Sequence, residues 1–320
     1  MKERSTIGVV IPCFMGSSIT IKIVREVLEF ADHVVLVDDQ CPNSTGEIIA
    51  TKINNPKLHI IFNKINLGVG GSSKNGFAWL LDKDCDIILK VDADGQISAS
   101  DIPRMCGPIL RNECDSTKGN RFTNLDKILS MPKTRLIGNV ALSFISKIST
   151  GYWELFDPTN GFVAFRSNVL RSINLRKTDD RFFFETDLLF RCSLKNICIK
   201  NVDIEPIYNN SYSSLNPIKE IPNFFFRHSK LIIKRVIYQY FILDFNPGSI
   251  EIVLSFILAL FSFLFGIFCI YLSHITGNLT SAGTASLFSI SVIVSIQLFL
   301  SFIYYDCAIR PLTRKNLLNN

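Results

Sequence analysis

From Ile250 to Leu272 the chain is almost unbrokenly apolar, with one charge, Glu251, at its edge. A run of that length spans a bilayer as a helix. A second run covers Leu287 to Tyr304, starting from about Ala282. Together they predict a membrane region over 247–320 with two helices, about 250–272 and 283–305. The link between them, Ser273 to Ser281, has no Lys or Arg. Arg227, Lys230, Lys234 and Arg235 precede the runs, and Arg310, Arg314 and Lys315 follow them. The positive-inside rule therefore places both outer flanks, and with them both termini, on the cytoplasmic side. An integral protein with two spans follows, with a bacterial inner membrane as the expected setting. The segment 223–246 alternates aromatic, aliphatic and basic residues at helical spacing and reads as an amphipathic helix on the membrane surface plus a linker. A helix buried in the soluble part is the alternative. The apolar excess, 48% of residues with 26 Phe, lies toward this end. The net charge of +6 is modest, and nothing in the chain points to a nucleic-acid partner. Nine scattered cysteines without a C-x-x-C pair read as reduced thiols in a cytosolic compartment.

Residues 1–222 read differently. Short apolar runs rich in β-branched residues alternate with segments of helical spacing: strand Thr6–Pro12, helix Ile19–Phe30, strand His33–Val37, helix Thr45–Ile53, strand Leu58–Phe62, a helix through Leu81, and strand Asp86–Val91. This alternation predicts an α/β domain with a mostly parallel, Rossmann-like sheet, whose ligands bind beyond the carboxyl ends of the strands. At one such end the chain reads Asp86-Ile-Ile-Leu-Lys-Val-Asp-Ala-Asp-Gly-Gln96. Asp92 and Asp94 are two apart and in an extended strand would point the same way, and Gly95 lets the backbone turn. Two convergent carboxylates suit a hard divalent cation, which can in turn bridge a diphosphate. A solvated acidic turn is the plainer reading.

Asp38-Asp39 ends the second strand and could bond a base or ribose, or simply cap a turn. Gly68, Gly70 and Gly71 would let backbone approach a ligand before a helix N-terminus, although the spacing is not a dinucleotide or P-loop fingerprint. Further on, Lys118-Gly-Asn-Arg121-Phe follows a strand, and Met131 to Asn139 opens a helix that contains Arg135. Asp157-Pro-Thr-Asn-Gly-Phe162 is a turn, and Glu185-Thr-Asp187 precedes an apolar helix. Arg121 and Arg135 could capture an anion with their planar forks. Glu185 and Asp187 could position an acceptor or act as a general base, or merely favour a helix N-terminus.

Val-Ile-Pro, Val-Asp-Asp, Asn-Leu-Gly-Val-Gly, Asp-Ala-Asp-Gly-Gln, Gly-Asn-Arg-Phe, Asp-Pro-Thr-Asn-Gly-Phe and Glu-Thr-Asp occur in one order. In that order the chain resembles family 2 glycosyltransferases of GT-A fold. More narrowly it resembles the dolichol-phosphate mannose synthases and polyprenyl-phosphate glycosyltransferases. The likeness covers about Thr6 to Glu205. It implies that Asp92, Asp94 and Gln96 hold Mg2+ or Mn2+. Pro12, Asp38 or Asp39 and Asn66 would line a nucleotide-sugar site, UDP- or GDP-linked, with Gly68, Gly70 and Lys74 beside them. Arg121 and Arg135, with Asn139, would grip an acceptor phosphate, and Asp157, Asn160, Gly161 and Glu185 would form the acceptor-side loop. The first loop reads Cys13-Phe-Met-Gly-Ser where the family often has Asn-Glu, and Gln40-Cys41 stand where Gly-Ser is usual.

The expected activity is inverting, metal-dependent transfer of a sugar from a nucleotide-sugar to a membrane polyprenyl phosphate, dolichyl or undecaprenyl, on the cytoplasmic face. A phosphate acceptor is already anionic and needs no strong base. The alternative is transfer to a hydroxyl of a lipid-linked glycan, with Asp187, or secondarily Asp157, as base. A membrane-anchored binding protein without catalysis is the third reading, and homo-oligomers are compatible with all three.

Overall fold

The computed structural model describes residues 5–16, 18–122, 133–158, 160–205, 207 and 217–309. Seven strands form one sheet in the order β3-β2-β1-β4-β6-β5-β7. They are β1 (Ile7–Cys13), β2 (His33–Asp38), β3 (Leu58–Phe62), β4 (Ile87–Lys90), β5 (Ser116–Asn120), β6 (Val163–Arg166) and β7 (Ile199–Asp203). All neighbouring pairs are parallel except those of β6, which runs antiparallel to both β4 and β5. Strand order reverses beside β1, so the crevice of the sheet opens beyond the ends of β1 and β4.

The central strands are apolar on both faces because helices cover both. The period of two sorts them. Val9, Ile11, Val34, Leu36 and Leu89 join one core with α1 (Ser18–Phe30), α2 (Thr45–Lys52) and α4 (Ile102–Leu110). Val10, Val35, Val37 and Ile88 join the other with α3 (Gly68–Asp82), α6 (Ser167–Ser172) and α7 (Phe184–Ser193). Between them in the chain lies α5 (Lys133–Thr150).

β4 ends at Lys90, so Asp92 and Asp94 lie in the loop at a strand's carboxyl end, as expected. Three local expectations are corrected. The glycine cluster is not a loop before a helix, since α3 begins at Gly68 itself. Lys118 to Asn120 lie inside β5 and not after it. Glu185 and Asp187 occupy the first turn of α7 and do not precede it.

The chain divides into two compact units, the first carrying the sheet and ending at Ile232, the second comprising Ile233–Arg310. The boundary falls within α8 (Pro217–Ile237). In the first unit this helix buries His228 and Leu231 against Phe183 and Phe190 of the α7 region, and Ser149 Oγ lies 2.8 Å from His228 Nδ1. Phe225 and Phe226 face outward. The second unit contains α9 (Pro247–Thr276) and α10 (Ala282–Ala308), both long and apolar enough to cross a membrane. They approach closely along serines. Ser255 and Ser295 each donate to the other's carbonyl at 3.0 Å, and Ser262 Oγ donates to Ser291 Oγ at 2.8 Å. Small hydroxyl residues at a helix seam, with large apolar side chains turned outward, suit a lipid environment. Arg235, expected as a basic flank facing the lipid headgroups, is instead buried. It donates bidentately to Asp306 at 2.7 and 2.8 Å, and Tyr240 donates to the same carboxylate.

Candidate active site

The acidic turn after β4 is where the crevice of the sheet lies. Gly95, with φ of 75°, makes the turn. Asp94 is exposed, and one of its oxygens accepts from the Gln96 amide at 3.0 Å. The surrounding protein and the charge of Asp92 both push the Asp94 carboxyl up, although its side chain reaches solvent. Asp92 is half-buried. One oxygen meets the Lys90 ammonium at 2.5 Å. The other lies against Gly161, where a side chain would collide with both the Asp92 carboxylate and the Lys90 ammonium. The Gln96 amide oxygen accepts from Arg121 at 3.3 Å.

Lys90 is the charged residue that sequence reasoning passed over. Its side chain is 0% exposed and also meets Glu185 at 3.1 Å. Burial alone would lower its pKa, but the Asp92 and Glu185 charges more than offset this and hold it above the ordinary lysine value. A lone lysine inside an apolar strand was the available signal, since lysine is almost never fully buried unless paired. Lys118, in β5, is also buried and is pushed down to about 8 by that burial. Its ammonium donates to the Asn160 carbonyl at 2.5 Å.

The acceptor-side residues converge on the same edge because β6 runs against its neighbours, so the turn before it meets the turn after β4. Asn160 donates from its amide to the Gly119 carbonyl at 2.8 Å and accepts from the Phe162 amide at 3.0 Å. Asp157 is buried and bidentately paired with Arg121 at 2.7 and 3.0 Å. The guanidinium fork that the family resemblance gives to an acceptor phosphate is thus filled by Asp157. Of the pair in α7, Glu185 faces the acidic turn through Lys90. Asp187 faces elsewhere: it accepts from the Asp179 amide at 3.0 Å and pairs with Arg191 at 3.4 Å. Burial pushes the Asp187 carboxyl up, and Arg191 pulls against it. Arg135 and Asn139 belong to α5, and their side chains lie outside the described residues.

The donor-side residues form a rim held together from within. Pro12 is buried in β1. Asp38 accepts from the Cys41 and Gly46 amides at 2.7 and 2.8 Å. Asp39 accepts from the Leu67 and Gly68 amides at 2.8 and 2.7 Å and from the Asn63 side chain at 2.8 Å. Both carboxylates are buried and fix loops; neither stands out toward solvent as a free base-binding group. The close approach expected of Gly68 and Gly70 is real, but the approaching group is the chain's own 179–181 segment. Asp180 O accepts from the Gly70 and Gly71 amides at 2.9 and 3.1 Å, and a Cβ on Gly68 would lie 2.6 Å from it. Lys74 pairs with Asp180 at 2.5 Å and donates to the Thr178 carbonyl at 3.0 Å. Asn66 donates to the Asp39 carbonyl at 3.3 Å and accepts from Arg181 at 2.5 Å. Sequence reasoning missed Asp180 and Arg181, which carry no motif.

Among the described residues no group of three His, Cys, Asp or Glu side chains gathers to hold a metal ion. Two carboxylates at the mouth of the crevice nevertheless fit a divalent cation that takes its remaining oxygens from a diphosphate and water. Gly161 lets the Asp92 carboxylate and the Lys90 ammonium pack against the backbone beside the turn.

Residues 8–173 match the model of the family described as glycosyl transferase family 2. The undecaprenyl-phosphate mannosyltransferase of Micrococcus luteus is 30% identical over 160 residues, 49% of this chain and 65% of that protein. The match therefore leaves about a third of that relative's length uncovered. The UDP-N-acetylglucosamine–dolichyl-phosphate N-acetylglucosaminyltransferase of Methanococcus voltae is 27% identical over 190 residues, 55% of this chain and 75% of that protein. Among solved structures, glucosyl-3-phosphoglycerate synthase from Mycobacterium tuberculosis, in complex with Mn2+, UDP and phosphoglyceric acid, superimposes with a TM-score of 0.53 at 16% identity. It covers 76% of this chain and 81% of its own. The last likeness establishes the fold.

Proposed function

The chain belongs to glycosyl transferase family 2, and from that premise we propose that it moves a sugar from a nucleotide-sugar, UDP- or GDP-linked, to a membrane polyprenyl phosphate on the cytoplasmic face. One observation carries the choice of acceptor. Among the described residues, each of the three carboxylates named on the acceptor side is already paired with a cation: Asp157 with Arg121, Glu185 with Lys90, and Asp187 with Arg191. None is poised as a general base. A hydroxyl acceptor needs one, whereas a phosphate oxygen is already anionic. The names of the two relatives, which specify polyprenyl phosphates, support the same reading.

In this proposal Asp92 and Asp94, with Gln96, hold Mg2+ or Mn2+. When bound, the ion neutralises charge developing on the departing nucleoside diphosphate. Asp38 and Asp39 shape the donor rim through the amides they bind, and Asn66, Gly68, Gly70 and Lys74 hold that rim against the 178–181 segment. Arg135 and Asn139 meet the acceptor phosphate. Arg121, steadied by Asp157, holds positive charge beside Gln96. The acceptor attacks the anomeric carbon from the face opposite the leaving group, which inverts its configuration. The helices α9 and α10 keep the chain at the bilayer where the acceptor resides, which raises its effective concentration. The test is radiolabelled transfer from a panel of nucleotide-sugars to purified polyprenyl phosphate, compared with a lipid-linked glycan bearing only hydroxyl acceptors. Transfer to the phosphate is expected; transfer to the glycan alone would overturn the reading.

A further inference from the structure

Lys90 poses a question that the fold does not answer. Its ammonium is fully buried, 2.5 Å from Asp92 and 3.1 Å from Glu185. Burying a lysine and its partners costs desolvation that a well-packed apolar residue avoids, and exchanging a buried ion pair for such residues is often neutral or stabilising. Its neighbours Ile87, Ile88, Leu89 and Val91 are all apolar, so the sheet does not require a charge here. A cavity lined by Lys90, Lys118, Phe184 and Glu185 adjoins the ammonium. Lys118 also feels the charge of Glu185, but its ammonium is held by the Asn160 carbonyl. Lys90 thus touches a carboxylate on the donor side and another on the acceptor-side helix.

We propose that Lys90 is a positioning residue that competes with the divalent cation for Asp92 and relays the cation's arrival to Glu185. The ammonium lowers the affinity of the Asp92–Asp94 pair for a bare metal ion, so that the ion binds well only together with a diphosphate that supplies further oxygens. When Asp92 turns to the ion, Lys90 settles on Glu185, already 3.1 Å away, and fixes the start of α7. This inference rests on the metal role proposed above, but not on the identity of the acceptor.

The experiment measures Mn2+ binding by the paramagnetic resonance signal of free Mn2+, using the full chain in detergent micelles, with and without UDP or GDP. Lys90→Met is expected to tighten Mn2+ binding in the absence of nucleotide by about tenfold or more, because a unit charge next to Asp92 is removed, while sugar transfer falls. Glu185→Gln leaves Lys90 to Asp92 alone and is expected to weaken Mn2+ binding several-fold. The charge-balanced Lys90→Met/Glu185→Gln variant guards against misfolding and should also bind Mn2+ more tightly than the unaltered chain. A lysine that only held the fold together would lower transfer without tightening metal binding. Unchanged or weaker Mn2+ binding by the folded double variant would overturn the inference alone. Failure of the unaltered chain to bind Mn2+ with either nucleotide would overturn the metal role and the inference with it.

Discussion

At the scale of single residues, the acidic turn separates groups whose loss removes chemistry from groups whose loss removes placement. Asp92→Asn or Asp94→Asn is expected to abolish sugar transfer, as is chelation of divalent metal with EDTA. The melting temperature should change little for Asp94→Asn, because Asp94 is exposed, whereas Asp92→Asn should also destabilise the fold by taking a carboxylate from the buried Lys90 ammonium. Full activity of the purified chain in excess EDTA would refute the metal role. Gly161→Ala acts through placement. The added methyl would collide with the Asp92 carboxylate and Lys90, so a stability loss of about 1–3 kcal/mol is expected together with a severe loss of transfer. Normal transfer by this variant would show that Asp92 can move freely. How much was legible at this scale depends on how each residue is used. Asp92 and Asp94 stood out because acids at the end of a buried apolar strand add nothing to its packing. The inward turn of Asp38 and Asp39 was hidden, because a carboxylate that bonds a ligand and one that bonds a loop amide have the same sequence. Lys90 was hidden by its apolar neighbours, and Asp180 and Arg181 by distance: they meet Lys74 and Asn66 from more than a hundred residues away.

Among the elements, the strands and helices of residues 7–90 were readable almost to the residue, since period and β-branched content agree there. The errors were at boundaries, where a helix start at Gly68 and a strand end at Lys90 are decided by tertiary partners. α8 shows the same limit. Its basic and aromatic spacing was legible, but the burial of His228 against Ser149 and Phe183 was not. That burial makes a pH prediction. The His228 pKa is pushed by burial from 6.5 down to about 4, so between these values the unfolded chain takes up the proton first. Stability from this group is full above pH 6.5 and is lost as pH falls toward 4, on the order of 3 kcal/mol in all. Thermal melts at pH 7.5 and 5 should therefore diverge, and His228→Gln should narrow the gap. An equal gap in the variant would contradict the assignment. In the second unit, Arg235 and Asp306 are both buried, and removing one takes away the other's bidentate charge partner. Asp306→Ala should cost about 3–5 kcal/mol, whereas Arg235→Met/Asp306→Leu together should be far milder. Additive losses in the double variant, read from unfolding midpoints in mild detergent, would argue against a coupled pair.

For the whole molecule, the two apolar helices predict how the chain partitions. The full protein should require detergent for extraction, whereas a chain ending before Ile250 should be released by high salt or alkaline carbonate, since α8, with its outward Phe225 and Phe226, would adhere at the surface without spanning the bilayer. Retention of the shortened chain after carbonate would mean that other surfaces hold it to the bilayer. The class of sheet was legible from the alternation of elements; its one reversed strand was not, because β6 is four residues of ordinary apolar sequence. Under the proposed function, residues up to Gln96 carry most of the nucleotide-sugar's side and the stretch between β5 and β6 its recipient's, and the two meet at one edge because β6 is threaded backwards. A recombinant that keeps residues through β4 and exchanges the stretch between β5 and β6 for that of a relative should inherit the relative's recipient while retaining its own sugar. Donor and recipient preferences can then diverge independently, as two texts bound at a common spine.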